Sequence, residues 1–94
     1  MFQRDRIKFK GRMFEVNYIK DENGVLRGVD FCPYSPAAGA ETISYKKLSK
    51  VITDLLKQGV DNKTKLLVLL NRSVGLDSNA LEFAKYVIRK RMPL

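Results

Sequence analysis

The sequence predicts one α+β domain in which a small antiparallel sheet packs against two amphipathic helices. Three observations predict this class. Hydrophobic and polar residues alternate over the first third of the chain, an Asn-Gly pair interrupts that region, and apolar residues recur at helical spacing in the C-terminal half. A chain of 94 residues is long enough for one hydrophobic core and too short for two.

The first predicted strand covers residues 6–10, where Ile7 and Phe9 fall on one face and the basic residues on the other. Gly11 then predicts a bend in the chain. This segment should therefore be a half-buried strand with one apolar face and one basic face.

The second and third predicted strands, residues 13–20 and 25–34, flank the pair Asn23-Gly24. An Asn-Gly pair between alternating hydrophobic residues is typical of a two-residue hairpin turn. Such a turn pairs Tyr18 with Val29, whereas a longer, bulged turn would shift the pairing by one residue. The apolar face of the hairpin then consists of Phe14, Val16, Tyr18, Val29 and Phe31.

Residues 33–41 contain two prolines and a glycine and predict a loop. The helical spacing that follows predicts an amphipathic helix from about Ser44, a good N-cap residue, to Gln58, with Gly59 as its stop. The apolar stripe of this helix consists of Leu48, Val51, Ile52, Leu55 and Leu56.

Residues 66–70 form a continuous apolar run. Its length predicts a fourth, buried strand, although a short buried helix would show the same pattern. The last helix should open at Asp77 or Ser78 and end near Arg91, because Pro93 prevents its continuation. The apolar stripe of the last helix consists of Ala80, Phe83, Ala84, Val87 and Ile88.

The residue inventory argues against an enzyme. Cys32 is the single cysteine and histidine is absent, which excludes an internal disulfide, a two-cysteine metal site and Ser-His or Cys-His nucleophile pairs. The glycines fit neither a P-loop nor a dinucleotide-binding fingerprint. Glu15 and Asp30 could approach each other on the second face of the hairpin, but ordinary solvated strand residues explain them as well. We expect no catalytic residues, no cofactor and no metal.

The hydropathy pattern predicts a cytoplasmic protein. No apolar run reaches the length of a membrane span, and the N-terminal residues lack an apolar signal core. We therefore expect no membrane partner.

The charge balance indicates a polyanionic partner. Lys and Arg number 18 against 10 Asp and Glu, a formal net charge of +8. A field of that sign concentrates nucleic acid or an acidic protein near the surface. Cations that are spaced evenly on a sheet can follow a phosphate backbone, and each neutralised phosphate releases counterions.

The predicted sheet supplies such cations. The strand period puts Lys8 and Lys10 on the polar face, and the two-residue turn sets Lys20 across from Arg27. Tyrosines near the loop, Tyr34 and Tyr45, could stack on unpaired bases or be buried at the rim of the core. The residues expected to bind nucleic acid are Lys8, Lys10, Arg12, Lys20, Arg27 and Tyr34.

A second basic patch is expected at the end of the last helix, although cations in that position are also favoured by the helix dipole. It consists of Lys85, Arg89, Lys90 and Arg91. The basic residues of the first strand have an alternative interpretation too, as an edge that blocks aggregation.

The leading hypothesis is a non-enzymatic domain that binds single-stranded DNA or RNA through a basic sheet surface with little sequence preference. The alternative is a small protein-interaction module or inhibitor whose basic face docks on an acidic protein.

Short motifs in the N-terminal half resemble the positive-cofactor-four family of single-stranded-DNA-binding transcription coactivators. The motifs are Phe9-Lys10-Gly11-Arg12, then Asp21-x-x-Gly24-x-Leu26-Arg27, and Ile43-Ser44 at the entry into a helix. The resemblance implies a curved antiparallel sheet backed by a helix, a homodimer, and Lys10 and Arg12 as cations that contact the nucleic-acid backbone. The chain departs from the family at residues 29–40, which look like an insertion, at residues 39–42, where the family has a basic stretch, and after Gly59.

Overall fold

The computed structural model describes residues 2–34 and 39–94, and it shows three strands and three helices in that part of the chain. The strands form one antiparallel sheet in the order β1-β2-β3. The predicted α+β class is therefore confirmed. The elements are β1 (Phe2–Phe9), β2 (Arg12–Lys20), β3 (Leu26–Pro33), α1 (Gly39–Lys57), α2 (Lys63–Asn71) and α3 (Ser78–Lys90).

A two-residue turn of Lys10 and Gly11 joins β1 to β2. Both residues have a positive φ, 52° and 76°, as a type I′ turn requires. Gly11 adopts this conformation without steric cost, whereas a lysine rarely does. Phe9 and Arg12, on either side of the turn, form the first pair of the ladder.

The turn between β2 and β3 is longer than the predicted two residues. The N–H of Gly24 donates to the Asp21 carbonyl, and the N–H of Asp21 donates to the Val25 carbonyl, both at 3.0 Å. The loop therefore comprises residues 22–24, with Gly24 at a φ of 78°. A three-residue loop of this kind shifts the pairing by one position.

A bulge at Arg27 restores the predicted register. Lys20 pairs with Leu26 whereas Ile19 pairs with Gly28, so Arg27 has no opposite residue in β2. The predicted pairing of Lys20 with Arg27 is therefore wrong. The predicted pairs beyond the bulge are confirmed: Tyr18 with Val29, and Val16 with Phe31.

Helix α1 begins at Gly39, five residues before the predicted N-cap Ser44. The predicted loop over residues 33–41 therefore ends early, and part of it, residues 35–38, lies outside the described residues. The predicted stop at Gly59 is confirmed. Gly59 has a φ of 97°, and its N–H donates to the Leu56 carbonyl at 3.1 Å while the next N–H, from Val60, donates to Leu55 at 3.2 Å, which is the Schellman arrangement.

The run 66–70 lies in helix α2, so the prediction of a fourth strand is wrong. The Asn62 side chain caps this helix by accepting a hydrogen bond from the N–H of Lys65 at 2.7 Å. Leu66 and Leu70 are buried, one turn apart, whereas Val68 between them is 44% exposed. A central strand would bury every residue of the run, whereas a helix on the surface of the core needs only one stripe.

Phe83 of α3 occupies the centre of the core. Its ring centroid lies 4.0 Å from that of Phe14, 5.4 Å from that of Phe31 and 5.6 Å from that of Phe9. Tyr45 of α1 packs against the same ring and is 5% exposed, so it cannot stack on a base. The sheet thus has an inner face, which the helices cover, and an outer face on the opposite side.

Helix α1 also runs along the edge of β3. The N–H of Phe31 donates to the Ser49 hydroxyl at 2.9 Å, and the N–H of Val29 donates to the Thr53 hydroxyl at 3.1 Å. The Thr53 hydroxyl donates in turn to the Val29 carbonyl at 3.2 Å. Two side-chain hydroxyls therefore take the place of a further strand at this edge. In the described part of the chain, no strand pairs with the other edge, at β1.

Candidate nucleic-acid interface

The outer face of β1 carries a row of three exposed cations, Arg4, Arg6 and Lys8, which we call the basic row. They alternate with Asp5 and Ile7, which belong to the inner face. The basic row follows from the period of two along a strand, since residues two apart point to the same side.

No residue of the basic row forms an ion pair within residues 2–34 and 39–94. Six ion pairs exist in that part of the chain, and each uses a different acidic residue. Six of the ten acidic residues of the sequence thus form ion pairs with cations outside the basic row. On the outer face Glu15 lies opposite Arg6, whereas Arg4 and Lys8 lie opposite the uncharged residues Asn17 and Met13. The positive potential of the basic row is therefore offset only in part.

Lys10 does not continue this row. Its positive φ turns the side chain toward the helices, where Nζ lies 2.7 Å from the Glu82 carboxylate of α3. The same ammonium lies 5.6 Å from the centre of the Phe9 ring on the inner face. The predicted neighbour of Lys8 on the polar face is therefore on the opposite side of the sheet.

Arg12 is also on the helix side. It forms an ion pair with Glu41 in the first turn of α1, and its guanidinium lies 5.5 Å from the centre of the Phe14 ring. A half-buried guanidinium with a carboxylate and a ring as partners acts as a clamp between β2 and α1.

The two cations at the tip of the second hairpin, Lys20 and Arg27, also lie away from the basic row. Arg27 donates through Nε to the Asp21 carboxylate at 3.1 Å. The pKa of Asp21 lies below its ordinary value, chiefly because the Val25 N–H donates to the same carboxylate. Lys20 is half-buried and lies opposite Leu26, on the inner-face side of β2. Arg27 therefore stabilises the turn through its ion pair with Asp21, and neither cation extends the basic row.

Tyr34, by contrast, lies on the same face as Lys8. The Tyr34 N–H donates to the Met13 carbonyl at 3.1 Å, and Met13 pairs with Lys8 on its other side. The three residues form one line across the outer face. Tyr34 is 37% exposed and lies two strand spacings, roughly 10 Å, from β1.

The two acids of the outer face do not form a catalytic pair. Glu15 lies opposite Cys32, and Asp30 lies opposite Asn17, so the carboxylates are diagonal neighbours. Asp30 accepts a hydrogen bond from Lys46 at 2.6 Å and is thereby tied to α1. Burial raises the pKa of the Cys32 thiol beside them, which makes the thiol a weak nucleophile.

The C-terminal end of α3 lies against the inner face of β1. Arg91, the C-cap residue, donates through Nε to the Asp5 carboxylate at 2.9 Å. Arg89 and Lys90 in the last turn are exposed, whereas Lys85 is half-buried. The predicted second patch is therefore adjacent to the basic row, with β1 between them.

Arg4 and Arg6 were not among the predicted binding residues. The strand was expected to start at residue 6, and it starts at Phe2. The signal was present in the sequence, because Arg4, Arg6 and Lys8 follow one another with a period of two.

Comparison with known proteins adds no assignment. The chain matches no protein-family model, and no curated protein or solved structure is significantly similar to it. The resemblance to the positive-cofactor-four family therefore stays a prediction.

The described residues contain no cluster of three or more His, Cys, Asp or Glu side chains that could hold a metal ion. Over the same residues, no helix combines the length and the apolar character that crossing a membrane requires.

Proposed function

We propose that the outer face of the sheet binds single-stranded nucleic acid with little sequence preference. The observation that carries this proposal is the basic row: three exposed cations on one face of one strand, without an ion-pair partner in the described chain. The phosphates would follow β1, and the bases would extend across β2 toward Tyr34.

The spacing of the row suits a flexible polyanion. Residues two apart on a strand are separated by about 6.7 Å, so Arg4, Arg6 and Lys8 present charges at regular intervals along a line. An unpaired nucleic-acid strand can adapt its backbone to such a line. Tyr34 then offers a ring face for a base at the Lys8 end of the row.

The shape of the outer face favours single strands over duplexes. The helices pack on the inner face and along the β3 edge. Within residues 2–34 and 39–94, the outer face therefore presents no helix that could enter a major groove. Among the described residues, no helix lies on this face to read base edges, so we expect little sequence preference.

A charge-matched pair of variants tests this proposal. The first replaces the basic row (Arg4→Gln, Arg6→Gln, Lys8→Gln). The control replaces three exposed cations elsewhere (Lys57→Gln, Lys65→Gln, Arg72→Gln). Both variants lose three positive charges, so their net charges change equally. Affinity for a fluorescent single-stranded oligonucleotide, measured at several salt concentrations, should fall strongly in the first variant only.

The salt dependence gives the second readout. The log–log slope should become shallower by about 2 in the basic-row variant, since each phosphate contact on a single strand contributes roughly 0.7. Tyr34→Ala should weaken binding by roughly 1–3 kcal/mol with the slope unchanged. Equal losses in the basic-row variant and its control would contradict the proposed site.

A further inference from the structure

The two edges of the sheet are treated differently. The β3 edge is closed by the Ser49 and Thr53 hydroxyls of α1, and Pro33 in the same strand has no N–H to offer. The β1 edge has no such cover among the described residues, although it is eight residues long. An open strand edge carries N–H and C=O groups that can pair with another chain.

The register shows which groups these are. Phe9 and Arg12 flank a two-residue turn, so they form a hydrogen-bonded pair, and such pairs alternate along an antiparallel ladder. Alternation directs the N–H and C=O groups of Arg4, Arg6 and Lys8 away from β2. The same alternation accounts for the outward N–H groups of β3, which α1 accepts.

The side chains at this edge select the kind of strand that could join it. An incoming strand would place every second side chain on the outer face, directly beside Arg4, Arg6 and Lys8. Opposite charges across strands are favourable and like charges are unfavourable. A second copy of this chain, paired edge to edge, would set the two basic rows against each other. A strand with acidic residues at alternate positions fits instead.

On the inner face, the side chains of an added strand would have to be apolar. Phe9 is half-buried, and its ring lies 5.0 Å from that of Tyr86 of α3, which is also half-buried. The Phe83 ring packs against a ring from each of the three strands, whereas the Tyr86 ring packs against that of Phe9 in the edge strand β1. The intervening side chains of an added strand would pack on these rings.

We propose that the β1 edge accepts an extended acidic segment of a partner protein as a fourth strand, with carboxylates and apolar residues alternating along it. Backbone pairing supplies the affinity, and the basic row supplies the selectivity. The inference does not depend on nucleic-acid binding. Because both ligands would use the basic row, the segment would compete with nucleic acid if both proposals hold.

The test compares a proline substitution at Arg6 with an alanine substitution at the same position, so that both variants lose the same charge. Arg6→Pro removes the outward N–H without touching the pairing to β2, and Arg6→Ala removes the same charge but keeps the N–H. The probe is a fluorescein-labelled peptide of about seven residues that alternates Glu with Val or Leu, measured by fluorescence anisotropy. Binding should be about tenfold weaker in Arg6→Pro than in Arg6→Ala, the effect of losing a backbone hydrogen bond. Single-stranded oligonucleotide affinity should be equal in the two variants.

A modified probe covers the case in which the proline variant fails to fold. The same peptide, N-methylated at alternate residues on its hydrogen-bonding edge, should lose binding to the wild-type protein. Equal binding of plain and methylated peptides, or of a peptide whose Glu residues are clustered, would show contact through charge alone and overturn the proposal. Dimerisation of the free protein that Arg6→Pro abolishes would identify a second copy as the occupant and overturn it too.

Discussion

Single backbone angles decide where the charges of this domain point. Lys10 continues the period of Lys8 in the sequence, yet its φ of 52° sends it to Glu82 on the helix side. Arg27 is removed from the register by a bulge and joins Asp21 in the turn. The formal net charge is therefore a poor guide to the surface, because local geometry decides which cations stay without counter-charges.

Tyr18 provides a prediction at the same scale. It is fully buried, and its hydroxyl donates to Asp5 at 3.4 Å. Burial, together with that carboxylate, raises the pKa of Tyr18 well above its ordinary value of 10.0. The folded protein therefore holds the phenolic proton more tightly than the unfolded chain. Stability should fall as the pH rises above 10, by up to about 1.4 kcal/mol per pH unit from this group.

The variant Tyr18→Phe has no proton to lose at this position. Urea unfolding at pH 8, 10 and 11 should show a lower stability at pH 8, by about 1 kcal/mol for the missing hydrogen bond. Its decline above pH 10 should be shallower than that of the wild type. Parallel stability curves for the two proteins would show that Tyr18 does not carry the alkaline dependence.

At the scale of elements, clear periodicity predicted the right structure. Alternation predicted the three strands, and helical spacing with a capping aspartate, Asp77, predicted α3. The prediction for residues 66–70 was wrong because five consecutive apolar residues have no period, and these residues lie in α2. The hydrogen bond from the Phe31 N–H to the Ser49 hydroxyl joins residues that are 18 positions apart, so no local sequence pattern predicts it.

The candidate site was predictable to the same extent. Lys8 and Tyr34 share the outer face, as a strand period implies, whereas a turn conformation directs Lys10 away from it. Arg12 is a residue of β2 and lies on the inner face with Phe14, as the same period implies. The neighbourhood of Arg91 and β1 depends on tertiary packing alone.

The covered edge of β3 gives the prediction for this scale. Ser49→Ala leaves the N–H of Phe31 buried without an acceptor, which should cost roughly 1–3 kcal/mol of stability. The matched control is Ser73→Ala, whose hydroxyl donates only to the Leu69 carbonyl one turn earlier. Hydrogen exchange should show a faster Phe31 amide in Ser49→Ala and no change there in the control. Unchanged protection of that amide would mean that the helix does not seal the edge.

The whole molecule consists of one sheet with a covered face and a bare one. The aromatic rings of the core pack on the covered side around Phe83. The outer face carries the basic row together with polar, acidic and a few apolar side chains, such as Asn17, Glu15 and Ile19. This asymmetry is what leaves the basic row and the β1 edge accessible at the same time.

Phe83→Ala tests the role of that ring for the whole fold. The side chain is 0% exposed, so its truncation should cost about 3–5 kcal/mol. A domain of this size has a total stability of roughly 5–14 kcal/mol. The urea midpoint should therefore fall steeply, while Val74→Ala, at a position 90% exposed, leaves it unchanged. Similar midpoints in both variants would contradict the central position of Phe83.

The position of Phe83, late in the sequence and at the centre of the core, also has a consequence for synthesis on the ribosome. The three strands emerge first, and the helix that covers them emerges last, 83 − 31 = 52 residues after Phe31. At ordinary elongation rates the nascent sheet would wait about 3–10 s with its aromatic side uncovered. During that interval the exposed aromatic residues would favour aggregation or chaperone binding, so slow translation of the α3 codons should lower the yield of native protein.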